Sequence, residues 1–332
     1  MSGHIPVMLE EVLGAMALGK GEIGLDGTYG GGGYAHAILA AADCRLIGVD
    51  RDETAIARAR DYAQDEPRLV PVLGRFGDLD VLAREAGFEA VDAVVLDLGV
   101  SSFQLDQAER GFSFMRDGPL DMRMGQSGPS AADVVNRLDE QGLADVIFRL
   151  GEETKSRRVA RAIVARRKEE AFETTLDLAG VVETALGGRR GAKTHPATRT
   201  FQAIRMFIND ELGELARALV AAENLLRAGG RLVVVTFHSL EDRIVKAFMR
   251  ARSGMVRGGS RHVPLQADEA PAPSFKLSSR KALSVSDAEA RENPRARSSR
   301  LRAAVRTEAP AWGGQGWAGF NLPALEALEV RA

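Results

Sequence analysis

The sequence is poor in the residues that build covalent and metal-bound frameworks: its 332 residues contain one cysteine and five histidines. The lone Cys44 excludes disulfides, iron-sulfur clusters and Cys-rich zinc sites. His4, His36, His195, His238 and His262 show no ligand spacing, so no metal is expected. Long apolar runs are also missing. No stretch approaches ~20 residues, and the N-terminus lacks the basic, apolar and small-residue order of a secretory leader. The expectation is a soluble, cytoplasmic protein with no membrane partner. A phosphate loop is absent as well. "GGRRGAKT" at 187–194 puts Ala192 between Gly191 and Lys193 and so breaks the spacing that binds nucleoside triphosphates.

What is present is a hydrophobic content of 45%, enough for a large core in one or two domains, and a formal charge of -2 that conceals an asymmetry. Lys155 to Lys168 holds seven basic residues and no acid, and Lys276 to Arg306 holds nine against three acids. A solvated helix face explains either run alone; two of them on a near-neutral chain suggest contact with a polyanion.

Apolar runs of strand length at 23–26, 45–50, 69–73, 91–98 and 231–237 alternate with helical patterns. This order predicts an α/β fold, a mostly parallel sheet with helices on both faces. Between the fourth and fifth runs the strand signal is lost, and "SAADVVNRLDEQGLADVIFRLG" and "TKSRRVARAIVARRKEEAF" read as helices. A crossover needs one helix, here 211–228, so 108–200 reads as a helical insertion between a first part, 1–107, and a second, 201–306. "FKLSSRKAL" and "SRLRAAVRT" read as late strands, and 307–332 as a flexible tail.

The stretch "IGLDGTYGGGGY" at 23–34 places five glycines directly after the first strand. Such a loop lets backbone approach a ligand closely, and an acid ending the next strand, here Asp50, holds ribose hydroxyls. NAD, FAD and S-adenosylmethionine all fit this pattern. Asp26, which closes the first strand, suits a ligand with an ammonium group better than one with a pyrophosphate. Asp97 ends the fourth strand and should face the reacting centre, unless it caps the following turn. Phe237 and His238 end the fifth, where Ser239 and Asp242 have capping-box spacing.

The motifs "DGTYGGGGY", "GVDRD", "LDLGVSSFQLDQAERGFSFMRDGPLDMRM", "HPATRTFQAIRMFINDELGEL" and "VVVTFHSLEDRIVKAF" closely resemble the bacterial 16S ribosomal RNA (cytosine-N4)-methyltransferase family, the RsmH or MraW family. The match runs from "HIPVMLEEVL" to "NPRARSSRLRAAVR", nearly the whole chain. The resemblance implies a class I S-adenosylmethionine-dependent methyltransferase, Rossmann-like, with a helical insertion domain that helps hold rRNA. It also implies methylation of the N4 amine of a decoding-centre, P-site cytidine in 16S rRNA of the small ribosomal subunit. Carried over, the cofactor site comprises Gly32, Gly33 and Tyr34, Asp50 on the ribose, Phe76 beside the adenine, then Asp97 and Gln104. Tyr34 stands where the family pattern usually has His, and the tail after Thr307 runs past the usual end.

For that chemistry Asp97, or the backbone carbonyls from Leu98 to Ser101, is the candidate acceptor near the amine, with His238 as a base contact. Lys155, Arg157, Arg158, Arg199 and Arg205 are the candidates for RNA phosphates. Methylation at carbon would need a thiolate nucleophile, and Cys44 opens the second strand, away from the strand ends, which favours the amine. Two other classes fit parts of the pattern. A NAD-dependent oxidoreductase shares the loop and ribose acid, and a non-catalytic small-subunit assembly factor would bind RNA without transferring a methyl group.

Overall fold

The computed structural model describes residues 6–125, 127–189, 191, 194–255 and 271–313; His4, Ala192, Lys193, His262 and Trp317 lie outside them. The chain forms two compact units, the first made of the chain up to Gly99 and again from Gly213, the second of Val100–Leu212. The insertion therefore extends beyond the expected 108–200 at both ends, to Val100 and to Leu212.

In the first unit the strands are β1 Ile23–Asp26, β2 Arg45–Asp50, β3 Leu69–Leu73, β4 Val91–Asp97, β5 Leu226–Thr236, β6 Phe275–Leu277, β7 Leu283–Ser284 and β8 Arg300–Arg306. They lie in the order β3-β2-β1-β4-β5-β8-β6, with β7 also paired to β8. The first five pair in parallel and β6, β7 and β8 antiparallel. The apolar runs explain the layering: Ala93, Val94, Val95 and Leu96 of β4 and Leu232 to Val235 of β5 are all fully buried, as strands covered on both faces must be. Helices α1 Leu9–Met16, α2 Gly33–Ala41, α3 Glu53–Asp65 and α4 Leu79–Glu85 accompany the first half of the sheet. Strand order reverses between β1 and β4, where this architecture opens a ligand crevice.

The second unit carries α5 Ser102–Asp106, α6 Ala131–Arg137, α7 Glu140–Gly151, α8 Ser156–Arg166, α9 Thr175–Leu186 and α10 Thr198–Ile208. The stretch expected as one helix from 130 splits at Leu138 because two caps compete within it. Ser130 and Asp133 form a capping box that starts α6, and the Asp139 carboxylate accepts from the Gly142 N–H to start α7. Then follow the crossover helix α11 Glu211–Leu225, α12 Ser239–Arg252 and α13 Asp287–Glu292. Among the described residues no helix is long and apolar enough to cross a membrane, and no cluster of side chains could hold a metal ion.

The expected flexible tail is docked at its start. Arg252 and Glu223, both fully buried, pair at 2.9 Å. The Trp312 N–H donates to Glu223 Oε1 at 3.1 Å, its indole N–H to the Ala272 carbonyl at 2.8 Å, and Arg252 Nη2 to the Gly313 carbonyl at 2.8 Å. Arg252 also stacks over the Trp312 ring at 4.7 Å. Residues 314–332 lie outside the described residues.

Candidate active site

Four strand ends build the site in the first unit. At the end of β1, Asp26 is 1% exposed and its Oδ1 accepts from the Thr28 N–H at 3.0 Å. The Thr28 hydroxyl accepts from the Asp97 N–H at 2.7 Å, which ties the end of β4 to the loop after β1. At the end of β2, Asp50 Oδ2 accepts from the Gly30 N–H at 2.7 Å and Oδ1 from the Asp52 N–H at 2.8 Å. Asp50 thereby shapes the glycine loop.

Gly32 caps α2 with φ 80°, and a β-carbon there would lie 2.6 Å from His36 Nε2 and 2.7 Å from the Tyr29 hydroxyl. Only glycine fits this position. Beside it, a β-carbon on Gly33 would lie 2.5 Å from Pro6 Cγ, so the N-terminal segment closes against the start of α2. The Tyr34 side chain is buried, and its hydroxyl donates to the Val7 carbonyl. Where the family pattern usually has His, this chain thus uses a phenol to fasten its own N-terminal segment.

Phe76 sits in a single 3-10 turn, Phe76–Asp78, near the end of β1: a β-carbon on Gly27 would lie 3.6 Å from Phe76 Cβ. The turn is held by Glu214, a residue that sequence reasoning missed. Buried at 1% exposure, Glu214 accepts from the Gly77 N–H at 2.9 Å and from Arg75 at 3.1 Å. Its place on a helix face that the 3.6-residue period buries was the available signal.

Asp97 ends β4 with its Oδ1 enclosed and without a hydrogen-bond partner. Burial pushes its carboxyl well above the usual range, and the charges of Asp26 and Glu241 push it further. Burial likewise raises Asp26 to about 7, opposed by the Thr28 amide and reinforced by Asp50. Asp50 is raised by burial too, against the amides of Asp52 and Gly30. Glu241, 2% exposed, completes the group from α12. Uncompensated carboxylates in a desolvated site are costly, and a cationic ligand relieves that cost. Loop and carboxylates together fit a nucleoside bearing positive charge.

His238 has a different place from the one expected. It, rather than Ser239, caps α12: Nδ1 accepts from the Glu241 N–H at 3.4 Å, while Glu241 Oε2 accepts from the N–H groups of Phe237 and His238 at 2.8 and 3.2 Å. His238 Nε2 lies 2.9 Å from Glu241 Oε1, without hydrogen-bond alignment. Both ring nitrogens are turned to one acid. Asp242, the other expected cap, pairs with Arg302 at 2.7 Å and Arg300 at 3.1 Å. Phe237 lines the end of β4, 3.7 Å from a β-carbon placed on Gly99.

The remaining candidates lie in the second unit. Gln104 is buried, and its Oε1 accepts from the Ser101 N–H at 3.1 Å at the start of α5. Lys155, Arg157 and Arg158 are exposed beside the buried Val159, Ala160 and Ile163 of α8. Arg199 donates to the Glu152 carbonyl at 3.2 Å. Arg205 is committed, its guanidinium donating to both Glu211 oxygens at 2.7 and 2.8 Å.

Comparisons with known proteins identify the family. The family model described as the MraW methylase family matches residues 1–307. Three relatives carry the name ribosomal RNA small subunit methyltransferase H. That of Hyphomonas neptunium is 65% identical over 98% of this chain and 95% of its own length. Those of Caulobacter vibrioides and Paramagnetospirillum magneticum are 58% and 57% identical, each over 93% of this chain and 97% of their own lengths. With its doubly wound sheet, its glycine loop and a match along nearly its whole length, the chain belongs to the MraW methylase family.

Proposed function

We propose that this chain transfers a methyl group from S-adenosylmethionine to the N4 amine of a decoding-centre cytidine in the 16S rRNA of the small ribosomal subunit, in the cytoplasm. The observation that carries the reading is Asp97: a buried carboxylate at the end of β4, one oxygen without a partner, among Asp26, Asp50 and Glu241. The relatives' names supply the small-subunit rRNA.

S-adenosylmethionine, when bound, supplies an electrophilic methyl whose leaving group is already in place. The glycine loop and Asp50 hold its nucleoside, Phe76 lies beside the base, and the carboxylates of Asp26 and Asp97 face its positive charge. What remains for the chain is alignment and charge stabilisation. The cytosine amine is a poor nucleophile because its lone pair is delocalised into the ring. As it rehybridises, its N–H bonds grow more acidic, and Asp97 Oδ1 is the acceptor free to take one. Carbon methylation lacks its nucleophile: Cys44 is 2% exposed, its thiol is pushed up by burial, and it precedes β2 at the opposite end of the sheet from Asp50. The exposed cations Lys155, Arg157 and Arg158 serve RNA phosphates, with Arg205 reserved for Glu211.

The test is to incubate the protein with methyl-labelled S-adenosylmethionine and small subunits from cells lacking the modification, then to analyse nucleosides by mass spectrometry. Label in N4-methylcytidine is expected. Label in another nucleoside overturns the acceptor, and bound subunits without label overturn catalysis in favour of an assembly factor.

A further inference from the structure

Within the basic run from Lys276 to Arg306, two sets of cations differ in the structure. Arg300 and Arg302 are neutralised by Asp242, and Arg306 donates to the carbonyls of Glu223, Ser274, Thr307 and Ala309. These arginines serve the fold. Lys276 and Arg280 are exposed and, among the described residues, have no acidic partner. They converge with two cations of α12, Lys246 and Arg250, on a pair of adjoining cavities at the β6 edge of the sheet. One, of ≈ 440 Å³, is lined by Lys246, Arg250 and Arg280 with Met255 and Leu277. The other, of ≈ 460 Å³, shares Met255, Leu277 and Arg280 and adds Lys276 with the hydroxyls of Ser278, Ser279 and Thr307. Among the described residues, no acid lines either cavity.

Bland explanations cover two of these side chains. Arg250 lies in the last turn of α12, where a cation complements the helix dipole, and Lys276 guards an edge strand against pairing. They do not cover Lys246, one turn before Arg250 on the same face, where like charges repel, nor Arg280, brought in from another element to the same cavity. A concave surface with three converging cations, hydroxyl donors and, among the described residues, no acid in its lining is complementary to a chain of phosphates.

We infer that this groove binds the phosphodiester backbone of single-stranded RNA flanking the target nucleotide, a contact of the first unit separate from the basic helix of the second. The inference rests on the rRNA reading above. The reach is short. Lys246 and Arg250 lie eight and twelve residues after the helix cap at His238, roughly 12 and 18 Å along α12 at 1.5 Å per residue. A stacked strand of about four or five nucleotides at 3.4 Å spacing covers that distance. The groove thus adds affinity and direction to an RNA whose target base must itself stand free of the stack.

The test uses the full chain with Lys246→Glu, Arg250→Glu and Arg280→Glu combined, and the milder pair Lys246→Gln and Arg280→Gln should the triple variant fold poorly. Binding of undermethylated small subunits is measured across a salt series, and S-adenosylmethionine affinity serves as the control for folding. The triple variant is expected to bind subunits at least tenfold more weakly at ~0.1 M salt. Its log-log salt slope should be smaller by about 2, since each single-strand phosphate contact contributes about 0.7. Cofactor affinity should stay within about twofold in the same comparison. Lys20→Glu and Arg60→Glu, charge reversals elsewhere on the first unit, should leave the slope unchanged. An unchanged slope in the groove variants, or an equal loss in the two controls, overturns the groove while the wild type still binds and methylates. A wild type that binds no subunits overturns the rRNA reading and the groove with it.

Discussion

Glu223 and Asp97 are both buried carboxylates of the first unit, yet only one has a cation. Arg252 lies 2.9 Å from Glu223, and Ser274 and the Trp312 amide complete its hydrogen bonds, whereas Asp97 Oδ1 meets no donor and shares its surroundings with Asp26 and Glu241. The first cluster is charge-paired: Glu223 and Arg252 neutralise each other and fix chain to chain, although among the described residues Arg252 Nη1 has no hydrogen-bond partner. The second is open, and under the proposed function a ligand completes it. On that reading, what separates the two regions is whether the partner belongs to the chain.

The largest effect should come from breaking the charge-paired cluster. Glu223→Ala strands Arg252 without its partner and is expected to cost about 3–5 kcal/mol, lowering the melting temperature by about 10 °C. Cofactor affinity, measured by calorimetry well below that temperature, should be unaltered. Conversely, Asp97→Asn replaces a carboxyl whose ionisation burial already opposes, so the ligand-free protein should melt no lower than wild type. S-adenosylmethionine affinity should fall on the order of 100-fold, the scale of losing one member of a buried charge pair. Destabilisation together with normal binding would erase the distinction between the clusters.

A pH series sharpens it further. Burial lets the folded protein hold the Asp26 proton up to about pH 7, well above the usual carboxylate range. Asp26 therefore favours folding at low pH, and this contribution fades as the pH rises through 7. Relative to Asp26→Asn, the wild type should lose stability between about pH 4 and 7 in thermal melts and change little above that. A bound cation works the other way, favouring the carboxylate, so wild-type cofactor affinity should weaken from pH 8 to 6 with proton uptake on release. The Asn variant should show a flatter profile.

The smallest effect tests a paired acid that serves the site. Glu214 binds Arg75, Arg217 and the Gly77 amide, and so positions Phe76. Glu214→Gln should raise the cofactor Kd roughly fivefold, about 1 kcal/mol for a weakened hydrogen bond, with kcat little changed. Equal losses in both parameters would show that Glu214 acts on the chemistry rather than on the turn.

The five parallel strands were legible because alternating apolar runs of strand length have few other uses, and the glycine loop and Asp50 were legible because their spacing encodes a ligand. Trp312 was not, since its anchor is a salt bridge between residues far apart in sequence. His238 was misplaced because histidine is an uncommon cap. The Ser239–Asp242 spacing looked better, yet Asp242 was claimed by Arg300 and Arg302 from β8, which no local rule could reveal. The composition of the basic segments showed only that cations were abundant. Which of them the fold had already spent required the tertiary structure.

The insertion between β4 and β5 also sets the order in which the molecule can be made. β4 pairs with β1 as soon as both have left the ribosome, but its other edge waits for β5, whose Leu232 to Val235 register with Val94 to Asp97. About 130 residues separate the two strands, so at 5–20 residues per second that edge stays open for on the order of 10 s. During this interval a half-sheet with an unpaired strand edge coexists with a helical stretch, Val100–Leu212, that has already been made in full. Nascent-chain proteolysis at increasing lengths should find the second unit protected before the first, which makes the strand that ends in Asp97 the segment most dependent on a chaperone.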